Sequence, residues 1–136
     1  MTSQRVMHIG LDDTDSTEGG CTTHIAALII QALSQMNVKF LDYPGLIRLN
    51  PNVPWKTRGN GALCLRIQYG GELEAEIKEA AIGLFEKHAA VESKGTDPGI
   101  VFLNSENIPS ELTDFAKKTE TSIVTLKEAI DLIKKF

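Results

Sequence analysis

An apolar run, an acidic turn and a helical pattern follow one another near the start of the chain, and this junction constrains the fold most. Residues 6–9 form an apolar run with the length of a buried strand. Apolar residues then recur at helical spacing over residues 25–36. Between the two patterns lies the segment GLDDTDSTEGGCTT, residues 10–23. We therefore predict a strand, a turn and a helix that ends near Asn37.

The turn carries three crowded carboxylates, at Asp12, Asp13 and Asp15. Such carboxylates repel one another unless a cation neutralises them, and Mg²⁺ prefers hard oxygen ligands and accompanies phosphates. Glycines and hydroxyls at a helix start can cradle an anion. The residues of this kind are Gly19, Gly20, Thr22 and Thr23. Asp, Ser, Thr and Gly are also the ordinary residues of a surface turn. The position of this acidic turn directly after a strand favours a metal–phosphate site, although the turn matches neither the Walker nor the dinucleotide-binding pattern.

A second polar segment, NPNVPWKTRGNG at residues 50–61, contains two prolines and two glycines and is predicted to be a loop. Lys56 and Arg58 flank a threonine, Trp55 precedes them, and Asn60 lies between glycines. A cationic pair beside a planar ring suits phosphates and a stacked base. A hairpin loop with solvated charges, whose Trp covers the edge of the core, explains the same residues.

The remaining patterns predict three main strands, one further short strand and three helices. We expect strands at residues 45–49, 62–69 and 100–103, with an extended piece before the first of them. A helix over residues 72–88 has His88 on its apolar face, where we interpret it as a partly buried packing residue. Ser110 is expected to cap a helix that runs to about Lys118. Thr125 and Glu128 form a capping box for a last helix, with a short strand at residues 122–124 before it.

This order is βαββαβ followed by a helical extension. It predicts the mixed α/β (α+β) class with a ferredoxin-like order. If the first and last strands are neighbours, Asp97, at the head of the last strand, faces the first acidic turn. An Asx turn ahead of that strand is the alternative interpretation of Asp97.

Length and charge limit the classes of function. A chain of 136 residues predicts one domain. Residues 1–70 carry 6 Lys/Arg against 5 Asp/Glu, and residues 71–136 carry 8 against 13. Proteins that bind nucleic acid without help from another domain usually carry an excess of positive charge, and this chain carries an excess of negative charge. No apolar run is long enough to span a bilayer and no leader pattern is present, so we expect a cytoplasmic protein without a membrane partner. Cys64 lies in an apolar run and is interpreted as a core thiol.

Three segments together carry a resemblance to a known family. GLDDTDSTEGGCTT, PGLIRLNPNVPWKTRGNGA and DPGIV occur in this order. The chain resembles the N-terminal kinase-like region of the archaeal tRNA-isoleucine 2-agmatinylcytidine synthetase family over about residues 6–104. The resemblance implies an ATP-dependent enzyme that attaches agmatine to the wobble cytidine of an isoleucine tRNA. A phosphoryl group from ATP activates the C2 carbonyl oxygen of that cytidine for displacement by the amine.

The resemblance also assigns roles to residues of this chain. It implies that Asp12, Asp13 and Asp15 hold Mg²⁺ and that Thr22 is the threonine that is autophosphorylated. Asp97 is a further candidate metal ligand because of its expected position opposite the acidic turn. Lys56, Arg58 and Asn60 lie along the phosphates or the target base. The cysteine-rich ribbon and basic OB-like stretch with which the family grips tRNA have no counterpart in these 136 residues. The chain is then expected to be a fragment, a free-standing subunit or a shortened paralogue.

Two hypotheses compete with the catalytic one. The chain can be a non-catalytic nucleotide-binding or regulatory module derived from that family. It can also be a structural subunit whose acidic second half docks a basic partner.

Overall fold

The computed structural model describes residues 3–12, 22–50, 52, 61–88 and 99–136. Its five strands and four α-helices confirm the mixed α+β class. The strands are β1 (Gln4–Asp12), β2 (Val38–Phe40), β3 (Gly45–Arg48), β4 (Gly61–Gly70) and β5 (Gly99–Leu103). The helices are α1 (Thr22–Leu33), α2 (Glu74–His88), α3 (Ser110–Thr121) and α4 (Leu126–Ile133), and a 3₁₀ turn (Gly71–Leu73) leads into α2.

All five strands belong to one antiparallel sheet, in the spatial order β2-β4-β1-β5. Strands β2 and β3 both pair with β4, with Val38 opposite Tyr69 and Arg48 opposite Gly61. They therefore form one interrupted strand, and Pro44, which cannot donate a ladder hydrogen bond, lies directly before its second part. With β2 and β3 taken as one strand, the predicted βαββαβ ferredoxin-like order is confirmed.

The core lies between one face of this sheet and the helices α1 and α2. Alternate residues of a strand face the same side, so every second residue of β1 and β4 points toward the helices. The helices contribute residues spaced by three or four positions. The buried apolar side chains are Met7, Ile9, Leu11, Ile25, Ala26, Ile29, Leu33, Leu63, Leu65, Ile67, Tyr69, Ile77, Ala81 and Phe85.

The first helix is shorter than predicted. It ends at Leu33 rather than near Asn37. The next amides bond to carbonyls three residues back, from Gln35 to Ala32 and from Met36 to Leu33, which tightens the chain after the helix. Met36 and Val38 pack against the core as the chain enters β2, so the apolar pattern continues beyond the helix.

The C-terminal helices confirm one local prediction and correct two. The capping box is present, because the Thr125 hydroxyl accepts from the Glu128 amide and the Glu128 carboxylate accepts from the Thr125 amide. The predicted cap at Ser110 is wrong, since Ser110 is the first helical residue and Pro109 occupies the cap position without a side-chain hydrogen bond. Residues 122–124 form a connection between α3 and α4 and not the predicted short strand, since they pair with none of the described strands of the sheet. None of the described helices has the length and apolarity needed to cross a bilayer.

Candidate functional site at the Asp12 edge

One register row crosses the sheet where β1 ends. Asp12 lies opposite Ala62 of β4 on one side and opposite Gly99 of β5 on the other. Ala62 in turn lies opposite Ile47 of β3. Paired Cα atoms of antiparallel strands are about 4.5–5.5 Å apart, so the row spans about 15 Å. We call this end of the sheet the Asp12 edge.

The three segments that carry the family resemblance, called the signature segments, all reach the Asp12 edge. The first segment leaves β1 after Asp12, the second leads into β4 at Gly61, and the third leads into β5 at Gly99. The prediction for Asp97 requires that the first and last strands be neighbours. This requirement is met, because β5, the strand that follows Asp97, pairs with β1, which ends in Asp12. Segments that are up to 87 positions apart in sequence therefore meet at one edge.

The start of α1 also lies at the Asp12 edge. The interrupted strand formed by β2 and β3 runs toward this edge, because Val38 pairs near the far end of β4 and Arg48 pairs with Gly61. Helix α1 must return the chain to the far end, so its first residue, Thr22, lies on the Asp12 side. Its 12 residues cover about 18 Å, which suits a return along the sheet. The start of α1 thus lies at the end of the sheet where β1 ends in Asp12.

Gly99 places no side chain against the Asp12 carboxylate. A Cβ atom placed on Gly99 comes 3.5 Å from Oδ1 of Asp12, which is ordinary van der Waals contact. The carboxylate therefore lies on the β5 side of β1, next to a residue without a side chain. A small cation could approach an oxygen on this flank more closely than if a larger residue stood at position 99.

The beginning of the second segment is anchored. The Asn50 amide donates to the Thr119 carbonyl of α3 at 3.0 Å. Its side-chain Oδ1 accepts from the Asn52 amide at 3.0 Å, which forms an Asx turn, and Asn50 is buried. The chain therefore departs from β3 in a defined direction, held to the C-terminal helices.

Arg48 is a cation at this edge that the sequence analysis did not single out. It is the last residue of β3, its side chain is exposed, and Nη1 lies 3.7 Å from the position that a Cβ of Gly61 would occupy. Its place within PGLIRLN, directly before the predicted loop, was the available signal. The pairing of Arg48 with Gly61 is what brings it to the Asp12 edge.

Of the predicted site residues, the structure describes Asp12, Thr22 and Thr23. Within the described ranges no group of three or more His, Cys, Asp or Glu side chains could hold a metal ion. The complete ligand sets therefore remain predictions. The predicted site residues outside the described residues are Asp13, Asp15, Gly19, Gly20, Lys56, Arg58, Asn60 and Asp97.

Cys64 lies on the second face of the sheet, away from α1 and α2. It pairs with Gly10, and both line a cavity of about 450 Å³ between this face and the C-terminal helices. Burial raises the pKa of the Cys64 thiol, an effect that the nearby Arg66 partly offsets. The protonated thiol is a poor nucleophile, so Cys64 is not set up for catalysis. The prediction of a core thiol is wrong in its location, because Cys64 is half-buried on the second face and does not belong to the buried core.

Comparisons with known proteins agree with these motifs. The family model described as the TiaS TCKD domain matches residues 8–77. The 2-agmatinylcytidine synthetase TiaS of Pyrococcus horikoshii, which acts on an isoleucine tRNA, is 46% identical over 130 residues, which cover 96% of this chain and 30% of the relative. The chain thus spans about 30% of the length of the curated relatives it matches.

Solved structures show the same likeness. The crystal structure of TiaS in complex with its isoleucine tRNA and ATP matches with a TM-score of 0.88 at 34% identity. The complex of TiaS with the same tRNA, AMPCPP and agmatine matches with a TM-score of 0.84 at 31% identity. Each match covers 96% of this chain and 31% of the crystallised chain. The resemblance inferred from the three motifs is confirmed, and the chain belongs to the TiaS TCKD domain family.

Proposed function

We propose that this chain supplies the Mg²⁺·ATP-binding, phosphoryl-transferring part of an ATP-dependent ligase that attaches agmatine to the wobble cytidine of isoleucine tRNA. The observation that carries the proposal is the convergence of the three signature segments at the Asp12 edge. Two crystal structures of TiaS support it, since these complexes contain an isoleucine tRNA with ATP, or with AMPCPP and agmatine.

The residues at the Asp12 edge have the chemistry that Mg²⁺ requires. Asp12 offers a carboxylate against which Gly99 places no side chain, and Mg²⁺ is bound by such hard oxygen ligands. When bound, the ion neutralises phosphate charge and orients the transferred group. The set that would hold it is Asp12, Asp13, Asp15 and Asp97.

We propose that the start of α1 and the second signature segment bind the phosphate groups of ATP. Free amides at a helix start attract phosphate, and guanidinium or ammonium groups pair with its oxygens. Arg48 adds a described cation at the same edge. The proposed phosphate-binding residues are Gly19, Gly20, Thr23, Lys56, Arg58 and Asn60.

Thr22 is the proposed phosphoryl acceptor within the chain. It is the first residue of α1, and the direction of the interrupted strand brings this helix start to the side of Asp12. Transfer to its oxygen requires that the hydroxyl proton leave, and Asp12 and Asp13 are the proposed carboxylates for that role. Phosphoryl transfer depends mainly on positioning and charge neutralisation, which is what this set of residues can provide.

We propose that residues 1–136 act as one kinase-like domain, and that groups beyond these residues bind the tRNA. The net charge of −4 supports this division, because nucleic-acid affinity rests on neutralising many phosphates. The proposed tRNA substrate supports the proposal that the protein acts in the cytoplasm.

Binding of Mg²⁺·ATP tests the site itself. We expect the nucleotide to raise the melting temperature of the chain, and Asp12→Asn to remove this shift, because the substitution keeps the shape and deletes the charge. Asp114→Asn, on the exposed side of α3, is the matched control and should behave like the parent. The absence of a shift in the parent would refute the proposal.

Transfer of label separates catalysis from binding. With γ-labelled ATP we expect label on the parent and none on Thr22→Val, while Thr113→Val on α3 is labelled as the parent is. Nucleotide binding without label on Thr22 would instead support the non-catalytic nucleotide-binding module.

A further inference from the structure

Two of the three histidines of the chain meet at the ends of different helices. His24 lies in the first turn of α1, and His88 is the last residue of α2. Their ring centroids are 6.3 Å apart, with ring planes at 88°. The contact joins residues 64 positions apart, so it depends on the packing of α1 against α2.

Both rings lie on the side of the Asp12 edge. Helix α1 begins there, and α2 runs from the far end of β4 back toward the start of β5 at Gly99. His24 is exposed and His88 is half-buried, so an ion can reach the pair from solvent. From its place on the apolar face of α2, His88 is a packing residue, and the structure adds the contact with His24.

We propose that His24 and His88 form a two-histidine site for a transition-metal dication such as Zn²⁺, Ni²⁺ or Cu²⁺. Imidazole is the commonest protein ligand for these ions, whereas Mg²⁺ prefers oxygen. The site is therefore chemically distinct from the carboxylate set around Asp12. It does not depend on nucleotide binding or on the proposed enzymatic reaction.

The geometry requires only a small adjustment. A histidine nitrogen lies about 2.0–2.1 Å from Zn²⁺, which puts each ring centroid about 3.2 Å from the ion. Two such centroids at a tetrahedral angle are about 5 Å apart. The rings must therefore approach by about 1 Å, and rotation of the exposed His24 side chain can provide this. The remaining coordination positions are left to water.

A bound ion would link the start of α1 to the end of α2. Because the unfolded chain does not hold the two rings together, the ion binds the folded state more tightly and raises its stability. The link would restrain the helix start from which the proposed phosphate-binding residues depart.

Titration with Zn²⁺ tests the site, in a Cys21→Ser, Cys64→Ser background and with excess Mg²⁺ to occupy oxygen ligands. We expect one Zn²⁺ per chain and a rise in melting temperature. His24→Gln and His88→Gln should each weaken binding at least tenfold and abolish the rise. Lys87→Gln, a neighbouring exposed position, should bind as the background protein does.

Electron paramagnetic resonance of bound Cu²⁺ gives an independent signature. The background protein should show hyperfine coupling to two imidazole nitrogens, and each histidine variant should show coupling to one. Unchanged Zn²⁺ affinity in either histidine variant, or the same nitrogen count in all proteins, would show that the rings only pack against each other and would overturn the proposal.

Discussion

Substitution at Gly99 tests whether an ion binds the Asp12 carboxylate on its β5 side. A Cβ at this position comes 3.5 Å from Oδ1 of Asp12, so Gly99→Ala fits without displacing the carboxylate. The Gly99 φ lies outside the left-handed range, so alanine can adopt its backbone conformation. The loss of backbone freedom in the unfolded chain should then stabilise Gly99→Ala by about 0.4–1 kcal/mol.

Valine at the same position has a different consequence. Each Cγ atom extends about 1.5 Å beyond Cβ, into the space where an ion at about 2.0–2.1 Å from the carboxylate oxygen would lie. We expect Gly99→Val to fold, since β-branched residues suit strands, and to bind Mg²⁺·ATP at least tenfold more weakly. A tenfold loss corresponds to about 1.4 kcal/mol of binding free energy.

Isothermal titration of each variant with Mg²⁺·ATP, together with its melting temperature, measures both effects. Gly99→Ala serves as the matched control and should bind within about threefold of the parent, or about 0.7 kcal/mol. If folded Gly99→Val binds as the parent does, the ion does not use this flank. If Gly99→Ala loses as much affinity as Gly99→Val, glycine at position 99 contributes backbone freedom and not space for the ion.

Four further predictions concern stability and titration. Ile9→Ala removes a fully buried side chain and should lower the free energy of unfolding by about 2–5 kcal/mol in urea titrations. Thr125→Ala removes the capping hydroxyl and should destabilise α4 by about 1 kcal/mol, seen as faster amide exchange in that helix. Hydrogen bonds from Thr125 and Lys118 lower the pKa of Glu128 to about 2, so its contribution to stability is complete above about pH 4.5 and disappears as the pH falls to about 2. An NMR titration midpoint of Glu128 near 4.5 would contradict this. Because burial raises the thiol pKa, Cys64 should react with iodoacetamide more slowly in the folded than in the urea-unfolded chain.

Local patterns in the sequence were sufficient for most elements. The short run at residues 6–9 predicted β1. The alternation in β4 and the apolar faces of α1 and α2 predicted their types, because side-chain direction repeats with the period of the backbone. The capping box of α4 was predictable for the same reason, since Thr125 and Glu128 satisfy amides within one turn. The motifs also identified the family, which needs no knowledge of the fold.

Local patterns failed where packing competes with them. The apolar spacing of α1 continues past Leu33 because Met36 packs on the core from outside the helix. Serine is a common residue type at the N-cap of a helix, but Ser110 is already the first helical residue. Pro109 occupies the N-cap position instead. Residues 122–124 suit a strand, but they find no strand to pair with.

By itself, the sequence determined which segments carry polar chemistry and which residues within them are candidates. Only the tertiary structure decided that Asp12, Ala62 and Gly99 share one row, that Arg48 joins them, and that His24 meets His88. The physical reason is that strand register and helix packing depend on burying the whole apolar face at once, so no short segment contains the information that brings distant residues together.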